Sequence, residues 1–141
     1  MATLQIKPTA YYTFQTSTHP NSSISAGDSR DPSSTLQLTP FGTLASENWQ
    51  LYLQGGRYFL RNWDFGIKAQ LGVTKDSPDT PRLMKTDGTL GQQWMIEAEG
   101  TGWRLVNGLW ADGALAVQQG GDGIERGDRA NGVWTIKENE R

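Results

Sequence analysis

Two stretches of this 141-residue chain group side chains suited to a polyhydroxylated ligand. They are Asn62-Trp63-Asp64-Phe65-Gly66 and Asn107-Gly108-Leu109-Trp110-Ala111-Asp112-Gly113. Each holds an amide, an indole and a carboxylate. A carboxylate accepts from two hydroxyls, and an amide both donates and accepts. An indole covers an apolar C–H face. Together they suit the recognition of a hexose. The expected roles are stacking for Trp63 and Trp110, and hydroxyl recognition for Asn62, Asp64, Asn107 and Asp112. The competing reading is structural: the rings seal the end of a barrel and the aspartates cap turns. A third stretch, Thr16-Ser17-Thr18-His19-Pro20-Asn21, has no indole and no carboxylate.

Other chemistries find little support. The chain has no cysteine and one histidine. Disulfides, thiolate metal sites and paired imidazoles are therefore excluded, and neither a metal nor a cofactor is expected. His19, in a Ser/Thr/Pro loop, is a poor candidate for a catalytic base. The carboxylates are too scattered to argue for a glycosidase pair, so an enzyme is not expected. The net charge of −2 gives no broad attraction to nucleic acid or anionic lipid. No run approaches the roughly 20 apolar residues of a membrane helix, and no apolar leader opens the sequence. The expected location is cytoplasmic, or secreted without a recognisable signal peptide. Three short motifs are weak: the sequon Asn21-Ser22-Ser23, the tripeptide Arg126-Gly127-Asp128, and the hairpin-like Gly120-Gly121-Asp122-Gly123.

The elements that must position these groups read as strands. Side chains alternate between faces of a strand, and Trp49-Gln50-Leu51-Tyr52-Leu53 shows that alternation. The spacing predicts strands at 11–16, 23–26, 35–38, 49–53, 58–61, 68–73, 82–85, 93–96, 103–106, 114–118, 124–126 and 133–137. Turn residues lie between them, 17 glycines among them.

These strands fall into three copies of a four-strand unit. The openings are Tyr12-Thr13-Phe14, Tyr58-Phe59-Leu60 and Trp103-Arg104-Leu105, about 45 residues apart. The closings are Trp49-Gln50-Leu51, Trp94-Met95-Ile96 and Trp134-Thr135-Ile136, at intervals of about 45 and about 40 residues. Such a period marks a repeat architecture. Four strands cannot bury an apolar face alone, whereas three copies around an axis close a barrel and cap it. One domain is expected, with repeats at about 11–54, 55–100 and 101–141.

Gln92-Gln93-Trp94 resembles the Q-x-W signature of the ricin-B-type lectins, also called carbohydrate-binding module family 13. Glu47-Asn48-Trp49 and Gly132-Val133-Trp134 keep only the tryptophan. The stretch Tyr58–Gly66 with Gln70–Val73 is similar to fungal members, and the resemblance runs from about Tyr11 to Lys137. It implies an all-β fold, the β-trefoil, with pseudo-three-fold symmetry. It implies that Trp49, Trp94 and Trp134 pack in the shared core, each indole N–H finding a partner. Tyr12, Tyr58 and Trp103 are expected in the core or the barrel lining. In the family an aspartate, a stacking ring and an asparagine hold the sugar in each repeat. The aspartate positions fall near Ser25, Gln70 and Ala116, the ring positions near Thr39, Lys85 and Gly127, and the asparagine positions near Ser46, Gly91 and Asn131. Of the family's polar positions, only Asn131 and Gln92 match. A slip of one or two residues brings Asp28 or Asp87 into register.

The resemblance implies a non-catalytic carbohydrate-binding protein with altered sugar sites. Its partners would be glycans or glycoproteins, with a homodimer as an open alternative. Two other functions stay in view. One is a protease inhibitor acting through the loop Lys75-Asp76-Ser77-Pro78-Asp79-Thr80-Pro81. The other is a scaffold for protein contacts.

Overall fold

The computed structural model describes residues 4–26 and 35–139. Twelve strands form in chain order. The first repeat gives β1 (Tyr12–Gln15), β2 (Ser22–Ser25), β3 (Gln37–Pro40) and β4 (Trp49–Gln54). The second gives β5 (Arg57–Asn62), β6 (Ala69–Gly72), β7 (Arg82–Lys85) and β8 (Trp94–Glu99). The third gives β9 (Gly102–Asn107), β10 (Ala114–Val117), β11 (Ile124–Gly127) and β12 (Thr135–Glu138). All twelve overlap the strands expected from alternation. One turn of 3-10 helix precedes the last strand of each repeat, at Ala45–Glu47, Leu90–Gln92 and Arg129–Asn131.

Six strands, in the order β12-β1-β4-β5-β8-β9, make the barrel. A bridge between Trp103 and Trp134 joins β9 to the start of β12 and closes it. The three remaining hairpins, β2-β3, β6-β7 and β10-β11, form the cap. The pairing follows the repeat. Each opening aromatic faces its own closing tryptophan: Tyr12 with Trp49, Tyr58 with Trp94, Trp103 with Trp134. The bridge ties the two outer strands of this sheet together and reduces the hazard of an open sheet.

The core lies where barrel meets cap. Trp49, Trp94 and Trp134 are buried there with Phe14, Leu51, Leu60 and Leu105 from the barrel. Ile24, Leu71 and Leu115 meet them from the cap. Each indole N–H donates to the cap strand of its own repeat. Trp49 Nε1 bonds Ile24 O at 3.0 Å, Trp94 Nε1 bonds Leu71 O at 2.9 Å, and Trp134 Nε1 bonds Leu115 O at 2.8 Å. A buried polar group left unpaired would be costly; here one bond satisfies the indole and ties barrel to cap.

The second residue before each tryptophan differs between repeats, and so does what it holds. Glu47 accepts from Gly42 N at 3.0 and 2.9 Å and from Ser23 Oγ at 2.6 Å. Gln92 Oε1 accepts from Asp87 N and Gly88 N at 3.1 and 3.3 Å, while its Nε2 donates to Lys85 O at 2.7 Å. Both clamp the connection after the third strand. Gly132 has no side chain to do so. The third 3-10 turn is held from outside instead: Arg104 Nε donates to Arg129 O at 2.9 Å, and Arg129 pairs with Glu97.

Of the opening aromatics, Tyr12 is buried, and Tyr58 and Trp103 are half-buried. Burial pushes the Tyr58 phenol above its usual value. A folded-state pKa above the unfolded one favours the fold below the unfolded value, and that contribution is lost as pH rises through the folded one. Stability should therefore decline above about pH 10, the ordinary tyrosine range. The decline should be shallower in Tyr58→Phe. Urea midpoints across alkaline pH measure this; parallel curves for parent and variant would refute it.

Candidate functional site: a polar groove in the third repeat

Of the six residues expected to bind sugar, Asn62, Asn107 and Trp110 are buried, and Trp63, Asp64 and Asp112 are exposed. Asn62 and Asn107 are buried and spend their amides on the backbone. Asn62 Nδ2 donates to Ser46 O at 2.7 Å and its Oδ1 accepts from Asp64 N at 3.0 Å. Asn107 Nδ2 donates to Gly91 O at 2.8 Å and its Oδ1 accepts from Leu109 N at 2.9 Å. Both asparagines seat the following loop against the preceding repeat. Trp110 is only 5% exposed and belongs to the core. Its ring stands edge-on to Trp94, with centroids 5.4 Å apart, and its Nε1 donates to Pro78 O. The stacking role expected of Trp110 fails on geometry, since no ring face is open. Asp112 is exposed and accepts from Gly113 N at 2.8 Å, the turn-capping arrangement.

Trp63 and Asp64 are exposed. Trp63 is 44% exposed and stands edge-on to Tyr11 with centroids 4.6 Å apart. Of the two expected stacking rings, it alone keeps a solvent-facing surface.

The three indole bonds fix which residues correspond between repeats. They align Ile24, Leu71 and Leu115, so Gly72 lies opposite Ser25 and Ala116. Gln70, the position expected there, is two residues out of register. None of the three aligned residues is an aspartate. Pairing of Thr39 with Ser23, Met84 with Gln70 and Gly127 with Ala114 likewise puts Met84, not Lys85, at the ring position. Asp28 lies outside the described residues. Asp87 accepts from Thr89 N at 2.9 Å and Thr89 Oγ1 at 2.7 Å, a local turn.

In the second repeat this region is filled by backbone. A Cβ on Gly91 would lie 2.0 Å from Val73 O, and one on Gly72 would lie 2.8 Å from Gly91 O. Neither place has room for a sugar-binding side chain. The third repeat is different. An open groove of about 870 Å³ runs between the β10-β11 hairpin, the third 3-10 turn and the β1-β2 loop. Ala116, Gly127 and Asn131, the three positions that the family resemblance marks in this repeat, all line it. So do His19, Gln118, Asp122, Glu125 and Asp128. Arg126 also lines the groove, but it pairs with Asp79 at 2.9 Å. Among the described residues, Asp122, Glu125 and Asp128 form no ion pair, so the groove is anionic.

The loop considered for protease inhibition is fastened down. Pro78 O accepts from Trp110, Asp79 O accepts from Arg126 N at 2.9 Å, and Pro81 is buried. Among the described residues, no group of three or more metal-ligating side chains could hold an ion.

No protein-family model matches the chain, and no curated protein matches it. Solved structures do. The BEL β-trefoil aligns with a TM-score of 0.74 at 13% identity, over 96% of this chain and 97% of that one. The fold is a β-trefoil. A mosquitocidal holotoxin contains a segment that aligns with this trefoil at a TM-score of 0.84 and 14% identity, over 98% of the present chain. The exo-β-1,3-galactanase 1,3Gal43A from Clostridium thermocellum aligns at 0.78 and 19% identity, over 96%. The trefoil spans 18% of the holotoxin and 31% of the galactanase.

Proposed function

We propose that this trefoil is a non-catalytic glycan-binding protein, a lectin, whose site is the third-repeat groove. The observation that carries the reading is the groove's place. It opens where the ricin-B resemblance puts a sugar, on Ala116, Gly127 and Asn131, and carboxylates and amides line it. A trefoil of the same fold within a galactan-degrading enzyme supports a glycan as the ligand. The usual aspartate at Ala116 is absent, so hydroxyl recognition passes to Asp128, Glu125 and Asn131. The partners are then glycans or glycoproteins. The fastened loop at 75–81 gives no comparable support to protease inhibition.

A glycan array tests this. The parent should bind neutral glycans, and sialylated or sulfated ones should be rejected by the unpaired carboxylates, since like charge at a site costs affinity. Asn131→Ala and Asp128→Ala should each weaken binding by about 1–3 kcal/mol, the range for a hydrogen bond to a charged or well-placed group. An array without a hit, or variants that bind as tightly as the parent, would remove this groove from consideration.

A further inference from the structure

The loop that leaves the first strand of each repeat packs against the repeat before it. Residues 16–19 line the third-repeat groove in this way. Asn107 seats the β9-β10 loop on Gly91 of the second repeat, and Asn62 seats the β5-β6 loop on Ser46 of the first. The three loops begin with the same backbone bond. His19 N donates to Thr16 O at 3.1 Å, Phe65 N to Asn62 O at 3.2 Å, and Trp110 N to Asn107 O at 2.9 Å. His19, Phe65 and Trp110 are thus equivalent.

They do different things there. Trp110 crosses from its loop to Pro78, in the β6-β7 connection, and packs on Trp94. In the second repeat that indole is part of the core, and the place over Gly91 is taken by Val73 O and by Leu109, the residue before it. Phe65 packs against the core. In the third repeat the equivalent ring is the smaller, polar imidazole of His19, and the groove is open. The opposite wall, Gln118–Asp122, corresponds to the connection that Trp110 reaches in the second repeat.

We propose that His19 contacts the bound sugar, and that the exchange of an apolar ring for histidine makes the third repeat, not the second, the binding repeat. This rests on the glycan-binding reading above. The imidazole offers a flat face for the apolar side of a hexose. Its Nδ1 lies 3.0 Å from Thr18 Oγ1, which leaves Nε2 for a ligand hydroxyl. Asn131, Asp128 and Glu125 face the sugar from the other elements.

His19 is the one histidine of the chain, so its ring resonance reports on this groove alone. The intact protein is titrated with lactose, maltose and N,N′-diacetylchitobiose, with calorimetry alongside the NMR and a glycan array as reference. A probe that binds should shift the His19 Cε1–H signal saturably. His19→Trp, which puts at this position the indole that Trp110 supplies at the equivalent one, should lower affinity at least about tenfold, or 1.4 kcal/mol, with an unchanged far-UV spectrum. His19→Ala should also weaken binding, and it serves if the tryptophan variant does not fold. If an array hit or probe binds while the His19 signal stays still and both variants match the parent, the inference is overturned and glycan binding stands. If neither array nor probes show binding, both fall together.

Discussion

Trp94→Ala should be among the most damaging single substitutions, with a stability loss of about 3–5 kcal/mol, the range for emptying a tryptophan site in a core. Three losses coincide. The ring is fully buried at the junction of barrel and cap, it supports Trp110 edge-on, and its N–H satisfies Leu71 O. Removing it leaves a cavity and a buried carbonyl without its indole partner. Trp94→Phe should lose less, because it restores part of the volume though not the bond. The equivalent changes at Trp49 and Trp134 should fall in the same range, as their indoles have the same burial and the same kind of acceptor. Urea unfolding by tryptophan fluorescence and far-UV circular dichroism measures this. A Trp94→Ala variant within about 1 kcal/mol of the parent, a typical surface-to-average effect, would contradict the shared core.

Trp110→Ala should behave quite unlike Trp63→Ala, although the two residues sit in loops of similar composition. Trp110 is buried against Trp94 and bonds Pro78 O, so its loss should cost about 3–5 kcal/mol of stability and free the 75–81 loop at Pro78. Glycan binding at the third repeat should persist at temperatures where the variant stays folded. Trp63 packs edge-on against Tyr11 and is 44% exposed, so Trp63→Ala should cost less than Trp110→Ala, about 1 kcal/mol, the scale of an aromatic pair. Its effect on binding discriminates between sites: unchanged affinity agrees with the third-repeat groove, whereas a large loss would move the sugar to Trp63 and Asp64. Thermal melts and the same glycan array measure both outcomes.

The fold was legible because its determinants are local and repeated. Three tryptophans at nearly constant spacing, each followed by alternating apolar residues, mark the last strand of each copy. Three matched aromatics mark the first. The site was less legible, for a physical reason. Trp63 and Trp110 have similar neighbours in sequence, and what separates them is whether a distant segment covers the ring. Pro78 covers Trp110 from 32 residues away. Composition of the loop carries no trace of that. The register error at Gln70 has a similar origin. Alternation tolerates a shift of two residues along a strand, and only the Trp94 bond to Leu71 fixes the alignment on Gly72. A lone histidine suggests neither metal nor catalysis, so sequence alone gives His19 no role. Its significance lies in standing where the other repeats carry Phe65 and Trp110, which the shared backbone bond reveals.

The barrel seam has a consequence for synthesis on the ribosome. β1 pairs with β12 along its whole length, and Thr13 Oγ1 reaches Lys137 O across 124 residues. Its other neighbour, β4, is joined by one bridge at Tyr12 and Trp49. The strand made first must therefore wait for the strand made last, since chains emerge at about 5–20 residues per second. During that interval the first repeat has its hairpin but no closed barrel, and an apolar strand edge stays available to the wrong partner. The third-repeat groove shares this dependence: its His19 wall is translated early and its other walls late. A nascent chain halted before β12 has made both sides of the binding groove and has no seam to hold them together.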